Sequence, residues 1–200
     1  MLRRILDWLR GRVGGDVPPA PVTAPAAERS GAIADTSVDG NHSANIVTVA
    51  ELGDADAAAI AGALFERKFR QPIPGFPRHF VALIDARCAG YVHYTPWQGD
   101  FLCGGLCIDD RVYRELPAAS RAWIRERGGI AEIMMRAAHA ELDAAATIWG
   151  YIGDKQAEAV DRRVGFVPVA EPYLFAIWRA PLSDAEKAAR VAEAVRLGPF

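Results

Sequence analysis

The sequence has no run approaching the roughly 18 consecutive apolar residues that span a bilayer, so any membrane contact it makes is peripheral. It is poor in cysteine: Cys88, Cys103 and Cys107 cannot all pair with one another, and no CxxC spacing points to zinc or to a redox motif. A reducing, cytoplasmic setting fits, and no metal is expected. A dominant charge is also missing, because a formal net charge of −2 and a pI near 6.1 give no global basic field for a nucleic acid to read. Nor is the chain depleted in hydrophobic residues as disordered chains are: they make up 51%, against 24% charged. At 200 residues it has room for one substantial domain.

That domain does not fill the chain. Residues 1–13 carry Leu2, Ile5, Leu6, Leu9 and Val13 at helical spacing, with Arg3, Arg4 and Arg10 opposite or beside them and Trp8 at the rim. The spacing predicts a basic amphipathic helix, a shape suited to an anionic membrane surface or a partner's groove. A frayed terminal helix without a role, or a mitochondrial presequence, has the same pattern. A secretory signal fits less well, since Asp7 and Arg10 interrupt the apolar region it would need. Residues 14–44 are dense in Pro, Ala, Gly and small polar residues without periodicity, which reads as a flexible linker stiffened around Pro18 to Pro25.

The body, 45–200, alternates strand and helix patterns. A β-branched strand is expected at 45–50, then a helix with Asp54 at its N-cap and Ala57, Ile60, Ala61, Leu64 and Phe65 on one side. Segments 79–85 and 90–95 read as a hairpin, and 100–108 as a third strand with Gly104 and Gly105 inside it. Interior glycines weaken a strand, so a bulge or the close approach of a ligand or another backbone explains them. Cys103 and Cys107 are expected on one face of this strand, four residues apart. Segment 111–127 is helical in pieces around Pro117, and 130–142 is a periodic helix. A strand follows at 147–153, then a short helix at 154–164 and a strand at 172–179. Ser183 and Glu186 form a capping box for a last helix, 183–197. The predicted fold class is α/β, with a mixed, mostly antiparallel sheet flanked by helices.

Two stretches carry a resemblance. Gly129-Ile130-Ala131, entering the helix at 132, resembles the Q/R-x-x-G-x-G/A loop of the GNAT superfamily of N-acetyltransferases. The run from Asp154 through Ala157 and Asp161 to Gly165-Phe166 is similar to that superfamily's N-x-x-A-x-x-x-Y-x-x-x-G-F helix and turn. The resemblance covers residues 45 to 181 and implies an acyl-CoA-binding domain that transfers an acetyl or other acyl group to a small-molecule or peptide amine. Acetyl-CoA would be the co-substrate and no metal would take part. The resemblance leaves open a non-catalytic acyl-CoA-binding module, an interaction protein recruited through residues 1–13, and a homodimer.

Candidate roles follow by position. A glycine turn entering a helix offers free N–H groups and the positive end of the helix dipole, which suit a pyrophosphate. Gly128, Gly129, Ile130 and Ala131 supply that turn here, and Arg127 a charge. C-capping of the preceding helix is the competing role for the two glycines. The resemblance implies that Leu106, Cys107 and Ile108 offer backbone groups to the pantetheine arm and that Asp154 stands where the family has Asn. Glu126 replaces the loop's usual Gln or Arg, and Asp161 the Tyr that protonates the departing thiolate. An aspartate can serve as that acid only with a raised pKa. Asp161 shares a helix face with Asp154 and Glu158, as mutually repelling carboxylates or as a solvated acidic stripe. As base for the amine, Asp109 and Asp110 stand first, with Tyr151 and His93 as alternatives. Residues 111–126 are either a lid on the acceptor side or an insertion filling a surface.

Overall fold

The computed structural model describes residues 46–142, 145–169 and 172–200. The head and linker expected at 1–13 and 14–44 lie outside them. Four strands, β1 (Thr48–Leu52), β2 (Arg78–Ile84), β3 (Arg87–Trp97) and β4 (Asp100–Ile108), form an antiparallel meander. Its two hairpin turns have positive φ at both central residues, Asp85 and Ala86 in the first and Gln98 and Gly99 in the second. That is the turn geometry whose twist matches the flanking strands. A crossover carrying α2 (Asp110–Glu115), α3 (Ala118–Glu126) and α4 (Ile130–Glu141) then brings β5 (Thr147–Tyr151) parallel to β4. The chain completes the sheet with β6 (Val167–Pro168) and β7 (Leu174–Trp178), in the order β1-β2-β3-β4-β5-β7-β6. The remaining helices are α1 (Asp54–Phe69), α5 (Lys155–Arg163) and α6 (Asp184–Leu197).

Helices cover both faces of the sheet, which is why β2 reads as an unbroken apolar run and not as an alternation. On one face Phe80, Val92, Tyr94 and Ile148 pack under Met134, Met135 and Ala138 of α4. On the other, Phe65 of α1 meets Tyr91 edge-on at 5.4 Å, and Leu102, Trp149 and Leu174 pack with Ala194 of α6. Each fully buried large side chain contributes about 1.5–3 kcal/mol by leaving water. The capping box opens α6 as predicted: the Ser183 hydroxyl accepts from the Glu186 N–H and the Glu186 carboxylate accepts from the Ser183 N–H.

Several expectations need correction. β1 starts at Thr48, later than 45, and the two-residue β6 has no signal in the sequence. Gly53, not Asp54, is the N-cap of α1; Asp54 is its first helical residue. Segment 111–127 forms two helices with Pro117 at the N-cap of the second, and Val112, Leu116 and Ile124 are buried in the α4-side core, so it is no free lid. The two β4 cysteines lie on opposite faces. Cys107 pairs with Tyr91 and Cys103 with Tyr94, but between them β4 has one more residue than β3, a bulge around Gly105 at φ +62°.

Candidate functional site

β4 and β5 are hydrogen-bonded only from Phe101–Cys103 to Ile148–Gly150. One end of the pair is clamped. The buried Asp100 carboxylate accepts from the Thr147 backbone N–H at 3.0 Å, the Trp149 indole N–H at 3.0 Å and the Arg190 guanidinium at 2.7 Å. Beyond Cys103 the bulge turns β4 away, and its β5-facing edge from 104 to 108 has no strand partner. A cavity of about 350 Å³ opens there, walled by Gly104, Gly105 and Leu106 of β4, by Tyr151 and Ile152, and by Asp154 and Asp161.

Among the residues proposed for the pantetheine, Leu106 lines this cavity, whereas the Cys107 side chain is buried on the α1 face. Burial pushes the Cys107 thiol up to about 12 and that of Cys88 up to about 11, which leaves neither as a nucleophile at neutral pH. Ile108, the last residue of β4, pairs with Gly90 on the β3 side and does not reach the cavity wall.

The three α5 carboxylates have three environments, so they form neither a repelling cluster nor a solvated stripe. Asp154 is exposed and caps the helix by accepting from the Gln156 N–H at 2.6 Å. Glu158 pairs with Arg162 at 2.7 Å. Asp161 is only 4% exposed and faces the cavity. Desolvation raises its pKa to about 7, so near neutral pH the protonated and ionised forms are both populated and the protonated one can donate. Tyr151 stands at the rim, 6.4 Å from Tyr173 and 6.1 Å from Phe200 between ring centres.

Asp109 does not line the cavity. Its carboxylate caps α2 through the Arg111 N–H and pairs with Arg67 at 2.8 Å, both of them structural engagements. Asp110 faces Lys68 at 3.8 Å.

The glycine loop ends one helix and opens the next. Gly128 lies at φ +80°, its N–H donates to the Arg125 carbonyl, and the Gly129 N–H donates to the Ile124 carbonyl. Together these bonds form a Schellman cap on α3. The amides left over are those of Ile130, Ala131 and Glu132 in the first turn of α4, which have no partner within the helix and no capping side chain. An open cavity of about 950 Å³ adjoins this turn, lined by Gly128, Gly129 and Glu132 and by Arg125, Arg127, Arg136 and Arg163. Arg127 stacks on the Trp123 ring at 3.9 Å, and Glu126 turns toward Arg127 at 3.9 Å. Glu132 brings a carboxylate to the loop. Arg163 at 2.7 Å and Arg136 at 2.7 Å neutralise it, and these bonds hold its pKa below the usual carboxylate range. The loop thus presents free amides and a surplus of guanidinium, the ingredients of an anion site.

A further cavity, of about 500 Å³, lies on the α1 side of the bulge. It shares Gly104, Gly105, Phe69 and Phe200 with the gap between β4 and β5. Its His93 was only an alternative in the sequence. The buried His79 and Tyr91 behind it carry no motif, and only strand register brings them together. Among the described residues no group of His, Cys, Asp and Glu could hold a metal ion.

No family model and no curated protein matches the chain. Solved structures do. The GNAT-family acetyltransferase of Streptococcus pneumoniae is 12% identical over 66% of this chain and 99% of its own, with a TM-score of 0.47. The ribosomal-protein-S18-alanine N-acetyltransferase of Escherichia coli is 13% identical over 69% and 97%, with a TM-score of 0.48. A GNAT-family acetyltransferase of Brucella melitensis, solved with acetyl-CoA, is 17% identical over 68% and 90%, with a TM-score of 0.42. The mixed, mostly antiparallel seven-stranded sheet, with its one parallel pair and flanking helices, is the α/β fold class that the sequence predicts.

Proposed function

We propose that the chain binds acetyl-CoA or another acyl-CoA and transfers the acyl group to an amine by direct attack. The observation that carries this reading is the divergence of β4 and β5 into a cavity faced by the buried Asp161. The amides of residues 130–132, with Arg127 and Arg163 nearby, hold the pyrophosphate. The unpaired edge of β4 hydrogen-bonds the pantetheine arm and positions the thioester carbonyl in the gap. The amine nitrogen forms the new C–N bond as the C–S bond breaks. Asp161 gives its proton to the departing thiolate, which is lost more readily as a thiol.

Calorimetric titration with acetyl-CoA, followed by free-thiol release with a panel of amines, tests this. Binding with amine-dependent thiol release is expected. Absence of binding at millimolar acetyl-CoA overturns the proposal, and binding without release across the panel favours an acyl-CoA-binding module instead.

A further inference from the structure

His93, Tyr91, His79 and Asp54 form one hydrogen-bonded chain on the α1 face. The Tyr91 hydroxyl lies 3.3 Å from His93 Nδ1 and 2.7 Å from His79 Nδ1, and His79 Nε2 lies 3.2 Å from Asp54 Oδ1. His79 is fully buried, while the Asp54 side chain is 58% exposed. A carboxylate has only acceptors to offer, so His79 carries its proton on Nε2 and its Nδ1 accepts from the Tyr91 hydroxyl. The Tyr91 oxygen then accepts from His93 Nδ1–H. Each bond fixes the next tautomer, and the chain leaves the His93 Nε2 lone pair without a partner in it.

That nitrogen points at the bulge. A Cβ on Gly104 would stand 2.8 Å from His93 Nε2, and one on Gly105 2.6 Å from Nδ1 and Cε1, so only the two glycines let the ring lie against the strand. Burial also keeps His93 neutral, with a pKa lowered to about 4. The cavity around it is walled by Phe65, Phe69, Phe76, Pro72, Pro74 and Leu102, and among the described residues no Asp or Glu side chain lines it. Phe76 is 72% exposed and Phe69 40% exposed, an apolar mouth open to solvent.

We propose that this cavity is the acceptor site, that it takes a primary amine borne on an apolar or aromatic body, and that His93 Nε2 receives the amine's proton. The proposal rests on the acyl-transfer reading above. As the nitrogen attacks the thioester carbon it becomes an ammonium. Its N–H proton passes to His93 Nε2, giving an imidazolium whose Nδ1–H remains bonded to Tyr91, and solvent at the cavity mouth then takes that proton. His93 is the catalytic residue. Tyr91, His79 and Asp54 are positioning residues.

The test compares 2-phenylethylamine with spermidine in the thiol-release assay, using the full chain and its His93→Gln and Tyr91→Phe variants. Acetyl-CoA affinity, measured calorimetrically, reports whether each variant is folded and loaded. Expected are a kcat/KM at least tenfold higher for 2-phenylethylamine and a loss of about hundredfold in kcat for His93→Gln at unchanged acetyl-CoA affinity. Tyr91→Phe should lower kcat with little change in KM, and the 15N resonances of His93 should move toward a mixture of tautomers. Spermidine turned over as well as 2-phenylethylamine, or full kcat in His93→Gln, overturns the inference while leaving acyl transfer intact. Failure of the wild-type chain to bind acetyl-CoA overturns the acyl-transfer reading itself.

Discussion

The indole N–H of Trp149 donates to Asp100 Oδ2 over 3.0 Å, joining the first residue of β4 to the third residue of β5 at the end where the two strands still pair. The gap beyond exists because this end is clamped and the bulge is not. Asp100 also holds Arg190 and the Thr147 amide, so its replacement orphans three buried or half-buried donors at once. Asp100→Ala should cost about 3–5 kcal/mol, the range for breaking a buried charge pair. Asp100→Asn should cost less, because one carbonyl oxygen remains to accept. Urea unfolding of the three proteins checks the order, and an Asp100→Ala protein as stable as wild type would refute the clamp.

Asp161→Asn should bind acetyl-CoA as wild type does and lose about hundredfold in kcat, since an amide cannot supply the proton. Its stability should also differ with pH. The folded carboxyl titrates near 7 and the unfolded one near the ordinary 3.8, so between these values the folded protein holds a proton the unfolded chain has released. Stability from this group is full below 3.8, falls as pH rises to 7 and is level above. Burial lowers His93 and His139 to about 4, which gives slopes of opposite sign, but both histidines are present in both proteins and cancel in the comparison. The variant should therefore gain on wild type between pH 4 and 7. Parallel stability curves would show that Asp161 does not titrate in this window.

Gly128 and Gly129 should separate under substitution. A Cβ at Gly128 would stand 1.8 Å from Glu132 Oε2, whereas nothing lies within 4 Å of one at Gly129, where the φ of +98° still strains any side chain, so Gly129→Ala serves as the control for Gly129→Glu. Gly128→Ala should lower thermal stability and acetyl-CoA affinity together, by displacing the carboxylate and the end of α3. Gly129→Glu should abolish acetyl-CoA binding by placing a negative charge before the free amides. Unchanged affinity in Gly129→Glu would remove the phosphate role from the loop.

Arg163 bonds both Glu132 and the Gly128 carbonyl, at 2.7 and 3.3 Å. Arg163→Ala should weaken acetyl-CoA about tenfold, or 1.4 kcal/mol, by leaving one Glu132 oxygen uncompensated beside the pyrophosphate site. Calorimetry at low salt reads this directly, and an unchanged Kd would place the site elsewhere.

Elements with strong local signals were legible. The hairpin from β2 to β3, the limits of β4, the start of α4 at Ile130 and the box at Ser183 and Glu186 follow from periodicity and capping chemistry. The glycine loop could be located, and of the two roles weighed for Gly128 and Gly129 the cap on α3 is formed, with the amides just beyond them left free. What failed depended on groups distant in sequence. Asp109 looked like a free base because Arg67 lies 42 residues away, and His79 drew no role because its partners come from cross-strand register and the start of α1. In the sequence Asp161 is a candidate acid whose environment stays open between a cluster and a solvated stripe, because its burial comes from the sheet and not from its own helix.

The extra residue at Gly105 has a genetic consequence. A strand's two faces follow the odd and even positions of the chain, and the bulge exchanges them partway along β4, so Cys103 and Cys107 have the same numerical parity yet look in opposite directions. Deleting one glycine would remove the extra residue: Cys107 would then stand three positions from Cys103, as Tyr91 does from Tyr94, so residues 106–108 would keep their faces while the strand straightened. A single-codon deletion at the bulge should therefore spare the packing on both faces of β4 and act on the gap beside β5, whereas side chains added at Gly104 or Gly105 meet His93.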